Sequence, residues 1–115
     1  MRRSLKALEA AVASAGDTSE RARATYNLAI FHDNNSREAE AIPHYEAALA
    51  FGLDASLIAH CLAYLASSLH KTSRSAEALG RALEAQSASI DETLSRFIRG
   101  LIVRIEKTIR AAANA

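Results

Sequence analysis

Ser36-Arg37-Glu38-Ala39-Glu40-Ala41-Ile42 returns as Ser73-Arg74-Ser75-Ala76-Glu77-Ala78-Leu79, 37 residues further along the chain. Five of the seven positions are identical, and Ile42 against Leu79 keeps a sixth apolar. The same offset aligns Leu28-Ala29 with Leu65-Ala66. Self-similarity at a fixed period of roughly 20–50 residues marks stacked-repeat architectures, in which each unit buries its apolar face only against its neighbours. The repeat therefore speaks to fold and to mode of action, and leaves the identity of a partner open.

The stretches around the repeat read as helices. Leu5, Leu8, Val12 and Ala15 form an apolar stripe over about 3–15, with Gly16 placed to end the helix. Asp17 three residues before Glu20 forms a capping pair for a second helix over 19–33, with Ala22, Ala24, Leu28, Ala29 and Phe31 as contacts. Asp33-Asn34-Asn35-Ser36 is a run of turn formers, and Asn35 is placed to open a third helix over 37–51. In that helix Ala41, Ile42, Tyr45, Ala48 and Leu49 point inward, Pro43 predicts a bend near residue 39, and Gly52 closes it. Leu57, Ile58, Cys61, Leu62, Leu65, Ala66 and Leu69 recur at helical steps over 55–71, followed by a Thr72-Ser73 turn. A fifth helix over 74–87 carries Ala78, Leu79, Ala82, Leu83 and Ala85, and Gly80 within it suggests a close helix approach. Ser89 before Glu92 reads as a capping box for a sixth helix, 90–112.

Composition agrees. Half of the 115 residues are apolar, Trp is absent, and Gly and Pro are few, as an all-α chain requires. The length suits one domain, 1–115, without linker or low-complexity segment. The formal charge of +1 favours neither nucleic acid nor membrane as a general partner. It is unevenly spread: residues 1–57 hold six Lys/Arg and eight Asp/Glu, and residues 58–115 hold eight and five. Arg2, Arg3 and Lys6 open the chain, but Lys6 and Glu9 interrupt the apolar residues, so neither a signal-peptide core nor a membrane span is read. With the lone Cys61, expected as a small buried hydrophobe, this predicts a soluble, cytoplasmic, reduced protein.

Paired helices of about fifteen residues at this period resemble the tetratricopeptide repeat. Leu28 and Ala29 fall on that family's Leu-Gly pair, Tyr26 near the bulky residue of the first helix, and His32 where the family has Tyr. Ala41, Tyr45 and Ala48 take the small, large and small positions of the second helix. Leu65, Ala66, Leu69, Ala78, Ala82 and Ala85 are their counterparts. The copies span 22–52 and 57–88, flanked by helices over 1–16 and 90–112. Small residues at the crossings let antiparallel helices approach closely. The chain departs from the pattern in Ser36 and Ser73, which replace the usual turn glycine, in the missing terminal proline, and in the spacing of 37. The pattern is similar to that of small bacterial two-repeat proteins. It implies a right-handed stack of antiparallel helix pairs, about six helices in all.

The resemblance also implies a concave groove, lined by each repeat's first helix, that binds a peptide or protein surface. The corresponding residues are Arg23, Tyr26, Ile30, Asp33 and Asn34, then His60, Ala63, Ser67, His70 and Lys71. Only Arg23 and Asn27 come near the family's carboxylate clamp, which argues against binding of a chain-terminal carboxylate. The last helix is too apolar for a simple end cap. Leu94, Ile98, Leu101 and Ile105 form one stripe, widened by Phe97, Ile102 and Ile109, which predicts self-association as a homodimer. The same helix carries Arg96, Arg99, Arg104, Lys107 and Arg110, a solvated basic face whose alternative use is contact with RNA or DNA; no aromatic residues interleave those charges. His32-Asp33 is the one pair that an enzyme could use, and its place in the alignment favours a packing role. The scattered histidines show no metal-ligand spacing, and no phosphate loop, nucleophilic triad or cofactor motif is visible. The expectation is a non-catalytic protein-interaction module without cofactor or metal.

Overall fold

The computed structural model describes residues 4–115, so Arg2, Arg3 and the start of the first helix expected at residue 3 lie outside the described residues. The described chain is all-helical, with six helices: α1 (Leu5–Ala13), α2 (Thr18–Asn34), α3 (Glu38–Phe51), α4 (Ala55–Lys71), α5 (Ser75–Ala88) and α6 (Glu92–Ala113). It divides into two compact units, one ending at Leu57 and the other running from Ile58 to Ala115.

In the first unit α2 packs against α1 and, more extensively, against α3. Ala22, Ala29, Ala41 and Ala48 are all fully buried, as a close crossing of two helices needs. Between these small residues Tyr26 and Tyr45 fill the space, their rings 6.2 Å apart and tilted by 56°. Tyr45 is fully buried, and its hydroxyl donates to Asp33 Oδ2 at 2.8 Å, so the polar tip of the ring is satisfied inside the hairpin. The second unit repeats the scheme with Ala66, Ala78, Ala82 and Ala85 fully buried. There α5 packs against α6, whose buried residues are Leu94, Ile98, Leu101 and Ile105.

The repeated motif has one structural meaning in both copies. Ser36 and Ser73 are the two non-glycine residues with left-handed backbone among the described residues, at φ 59° and 66°. Arg37 N–H donates to His32 O at 2.9 Å and Ser36 N–H to Asp33 O at 3.1 Å. Arg74 N–H to Leu69 O at 2.8 Å and Ser73 N–H to His70 O at 3.2 Å reproduce the pair 37 residues on. These are the two bonds of a Schellman turn, which satisfies the last carbonyls of a helix and reverses the chain. The Arg and Glu of the motif then pair with each other three residues apart. Arg74 makes a bidentate pair with Glu77 at 2.7 and 2.9 Å, and Arg37 Nε lies 3.4 Å from Glu40 Oε2.

Several local expectations are corrected. Asn35 ends α2 instead of opening α3: its Nδ2 donates to Phe31 O at 2.7 Å, and α3 starts after Arg37 without a side-chain cap. Gly16 is not the terminator of α1, which closes at Ser14; Gly16 N–H instead donates to Glu20 Oε2 at 2.9 Å, while Glu20 N–H donates to Asp17 Oδ1 at 2.7 Å. The capping pair of α2 therefore holds. At α6 the cap is Asp91, which accepts from Thr93 N–H at 3.1 Å, and not Ser89, whose backbone ends α5. A carboxylate so close to the first turn also suits the helix dipole. Gly80 marks no close approach: it is exposed, and a Cβ placed there meets nothing within 4 Å. Leu83, expected inward, is 48% exposed, because it lies one residue past the buried line Ala78–Ala82–Ala85 and so rotates off it. α3 runs through Pro43, and both Pro43 and Ala39, whose carbonyl it cannot serve, are exposed to water. Gly52 closes α3 in the left-handed region at φ 100°, as the sequence predicts.

Candidate functional site

The face expected to bind a partner draws on α2 in the first unit and α4 in the second, and each stands by itself. On α2, Arg23 and Asn34 are exposed and Ile30 is half-buried. Arg23 Nη2 lies 3.7 Å from Asp54 Oδ2, and with Ser19, Glu20 and Asp54 it lines a polar cavity of about 290 Å3. An exposed pair at that distance adds at most about 1 kcal/mol, so Arg23 is open to exchange Asp54 for another acid. Tyr26 is a correction: it is 6% exposed and belongs to the core, placed there by its contact with Tyr45. Asp33 is half-buried, and its carboxylate is committed to the Tyr45 hydroxyl.

His32 and Asp33 do not form a joint site. His32 is buried, stacked on His44 with ring centres 5.4 Å apart. Its Nδ1 accepts from Arg37 Nε at 3.0 Å, with Glu40 Oε2 at 3.3 Å from the same nitrogen. Nδ1 can accept from Arg37 only without its own proton, and can pair with Glu40 only with it. Burial lowers the affinity of His44 for a proton, and the charge of a protonated His32 lowers it further, against the opposing pull of Glu9 and Glu40. His32, Arg37, Glu40 and His44 thus tie α2 to α3 in the place where the resemblance expects a tyrosine. Among the described residues, no three His, Cys, Asp or Glu side chains come together as a metal ion would need.

On α4, His60, Ser67 and His70 are half-buried, Lys71 is exposed, and Ala63 is fully buried, which removes it from any contact face. His70 Nδ1 lies 3.2 Å from Ser75 Oγ, and both border a cavity of about 430 Å3 that Ile109 also lines. His60 packs edge-on to Tyr64 at 6.2 Å, and its Nδ1 is buried without a hydrogen-bond partner among the described residues. Both rings line a cavity of about 230 Å3 with Asp91, Thr93, Leu94 and Phe97. Tyr64, Asp91 and Thr93 are missing from the sequence-derived site. Tyr64 was findable, because four residues after His60 is the same helix face; the approach of the start of α6 was not. Cys61 is fully buried, and its thiol is pushed up to about 12 by burial, against a smaller opposing pull from Arg81.

The self-association stripe is largely spent within the chain. Leu94, Ile98, Leu101 and Ile105 are at most 6% exposed, because α6 lays them against its own unit. Phe97 at 39% and Val103 at 61% exposed remain, with Ile102 and Ile109 half-buried. Of the residues expected to self-associate, Phe97, Ile102 and Ile109 are the ones that keep accessible surface. Arg96, Arg104, Lys107 and Arg110 are exposed on the same helix, and Arg99 pairs with Glu92 at 3.0 Å. No helix among the described residues is long and apolar enough to cross a membrane.

A family profile described as tetratrico peptide repeat matches residues 22–113. The chain belongs to the tetratricopeptide repeat family. The matched span runs from the buried Ala22 to the last turn of α6. Tetratricopeptide membership suggests a protein–protein interaction module. Neither a curated protein nor a solved structure gives a significant match to the chain.

Proposed function

We propose that the chain is a non-catalytic interaction module that binds a peptide or protein segment through accessible side chains on the first helix of a repeat. Arg23, Ile30 and Asn34 serve on α2, and His60, Ser67, His70 and Lys71 on α4. One observation carries this reading beyond family membership. Three alanine pairs shared by the two copies, Ala29/Ala66, Ala41/Ala78 and Ala48/Ala85, are fully buried. On the first helix of each copy, Arg23 stands against His60 and Asn34 against Lys71; Arg23, Asn34 and Lys71 are exposed and His60 is half-buried. The buried alanine pairs build the scaffold, and the positions that differ on the accessible face of α2 and α4 are free to read a partner.

Site-specific photo-crosslinking in cell extract tests the proposal. A photoreactive residue at Asn34 or Ser67 is expected to form discrete protein adducts, and one at the exposed positions Ala50 of α3 or Gln86 of α5 is not. Adducts that form equally from Ala50 and Gln86, or only from them, overturn it.

A further inference from the structure

The cavity bordered by α4 and the start of α6 has a chemistry more specific than that of a general contact face. The chain is poor in aromatics, with three Tyr, three Phe and no Trp, yet Tyr64 and Phe97 both wall this one cavity alongside His60. Leu94 lies buried beside them, and Phe97 keeps 39% of its surface open. The remaining wall is Asp91 and Thr93. One oxygen of Asp91 accepts from Thr93 N–H at 3.1 Å, and among the described residues no Lys or Arg pairs with the carboxylate. The neighbouring Glu92 is already matched by Arg99 at 3.0 Å. No lining residue is a Lys or Arg.

Ring faces carry a negative quadrupole, and a carboxylate carries a full negative charge; together they select a cation that has an apolar stem. An anion is opposed by Asp91, whose carboxylate already occupies the first turn of α6. A volume of about 230 Å3 accommodates a guanidinium or ammonium head with its last methylenes.

We propose that this cavity holds the cationic head of a Lys or Arg side chain presented by the bound partner polypeptide. The inference rests on the interaction reading above and specifies what one subsite of that surface selects.

The test uses the full chain with n-butylguanidinium, its neutral analogue n-butylurea and n-butyrate, followed by NMR signals of Tyr64, Phe97 and Leu94. Saturable shifts with n-butylguanidinium and none with the other two are expected. Asn caps a helix about as well as Asp, so Asp91→Asn removes the charge and keeps the fold, a point checked by its melting temperature. It is expected to weaken n-butylguanidinium by about fivefold or more, and Phe97→Leu by about threefold, as loss of a charge-assisted contact and of a ring face imply. Equal shifts from n-butylurea, binding of n-butyrate, or an unchanged affinity in both variants overturns the proposal. If crosslinks from Asn34 and Ser67 persist while n-butylguanidinium fails to bind, the interaction reading stands and this subsite falls. If n-butylguanidinium binds while no crosslinks form, the partner is overturned as the occupant.

Discussion

Replacing the two turn serines by glycine, singly and together, should stabilise the protein. Ser36 and Ser73 sit at φ 59° and 66° at the C′ positions of their Schellman turns. Both are exposed, so their side chains contribute no packing. An L-residue in the left-handed region costs about 1–2 kcal/mol, from the clash of Cβ with the following carbonyl oxygen. Glycine removes that clash but loses about 0.5–1 kcal/mol through the greater freedom of the unfolded chain. The net gain is about 0.5–1 kcal/mol for each site, and the two add because the turns share no partner. Together they amount to about 1–2 kcal/mol, or a rise in melting temperature of about 4–8 °C for a domain of this size. Urea titration followed by far-ultraviolet circular dichroism measures it. Ser36→Ala and Ser73→Ala keep the Cβ and should gain nothing. If glycine leaves the midpoint unchanged or lowers it, or if alanine raises it as much as glycine does, the strain at these turns is not what the dihedral angles imply.

Ala41→Leu and Ala78→Leu insert bulk where the helices cross without free surface, and each should destabilise by about 1–3 kcal/mol in the same titration. Gly80→Ala fills open space on an exposed helix face and should stabilise by about 0.8–1 kcal/mol, raising the urea midpoint. Cys61 should resist a thiol reagent at neutral pH in the native protein and react fully once unfolded, because its thiol is buried and pushed up to about 12. His44 binds a proton less readily folded than unfolded, so the unfolded state takes up more protons below the ordinary histidine value of about 6.5. Stability should therefore fall as pH drops through that value, and His44→Gln should show a smaller loss between pH ~7.5 and ~5.5 in matched titrations.

Element boundaries were legible because helix formation here follows local periodicity. α4, expected over 55–71, is observed as Ala55–Lys71, and α2 and α3 agree to within a residue. Caps were less legible, because several polar residues near one helix end compete for the same N–H groups. Asp91 prevails over Ser89, and Asn35 turns back on α2 instead of opening α3. The candidate site was legible in part. Arg23, Asn34 and Lys71 reach the surface, while Tyr26 and Ala63 do not, since spacing places a residue on a helix face without stating what covers that face.

The sequence alone determined the repeat, the all-helical class, the crossings at Ala41 and Ala78, and the positions of the two serine turns. Each depends on spacing, residue size or backbone preference, which are properties of a short stretch of chain. The tertiary structure decided which apolar and polar groups were already engaged. It laid Leu94, Ile98, Leu101 and Ile105 into the core of their own unit, bound Asp33 to the Tyr45 hydroxyl, and brought Asp91 and Phe97 beside His60 and Tyr64. Each outcome joins residues of different helices, the last of them α4 and α6 some thirty residues apart in the chain, and no local pattern encodes which helices meet.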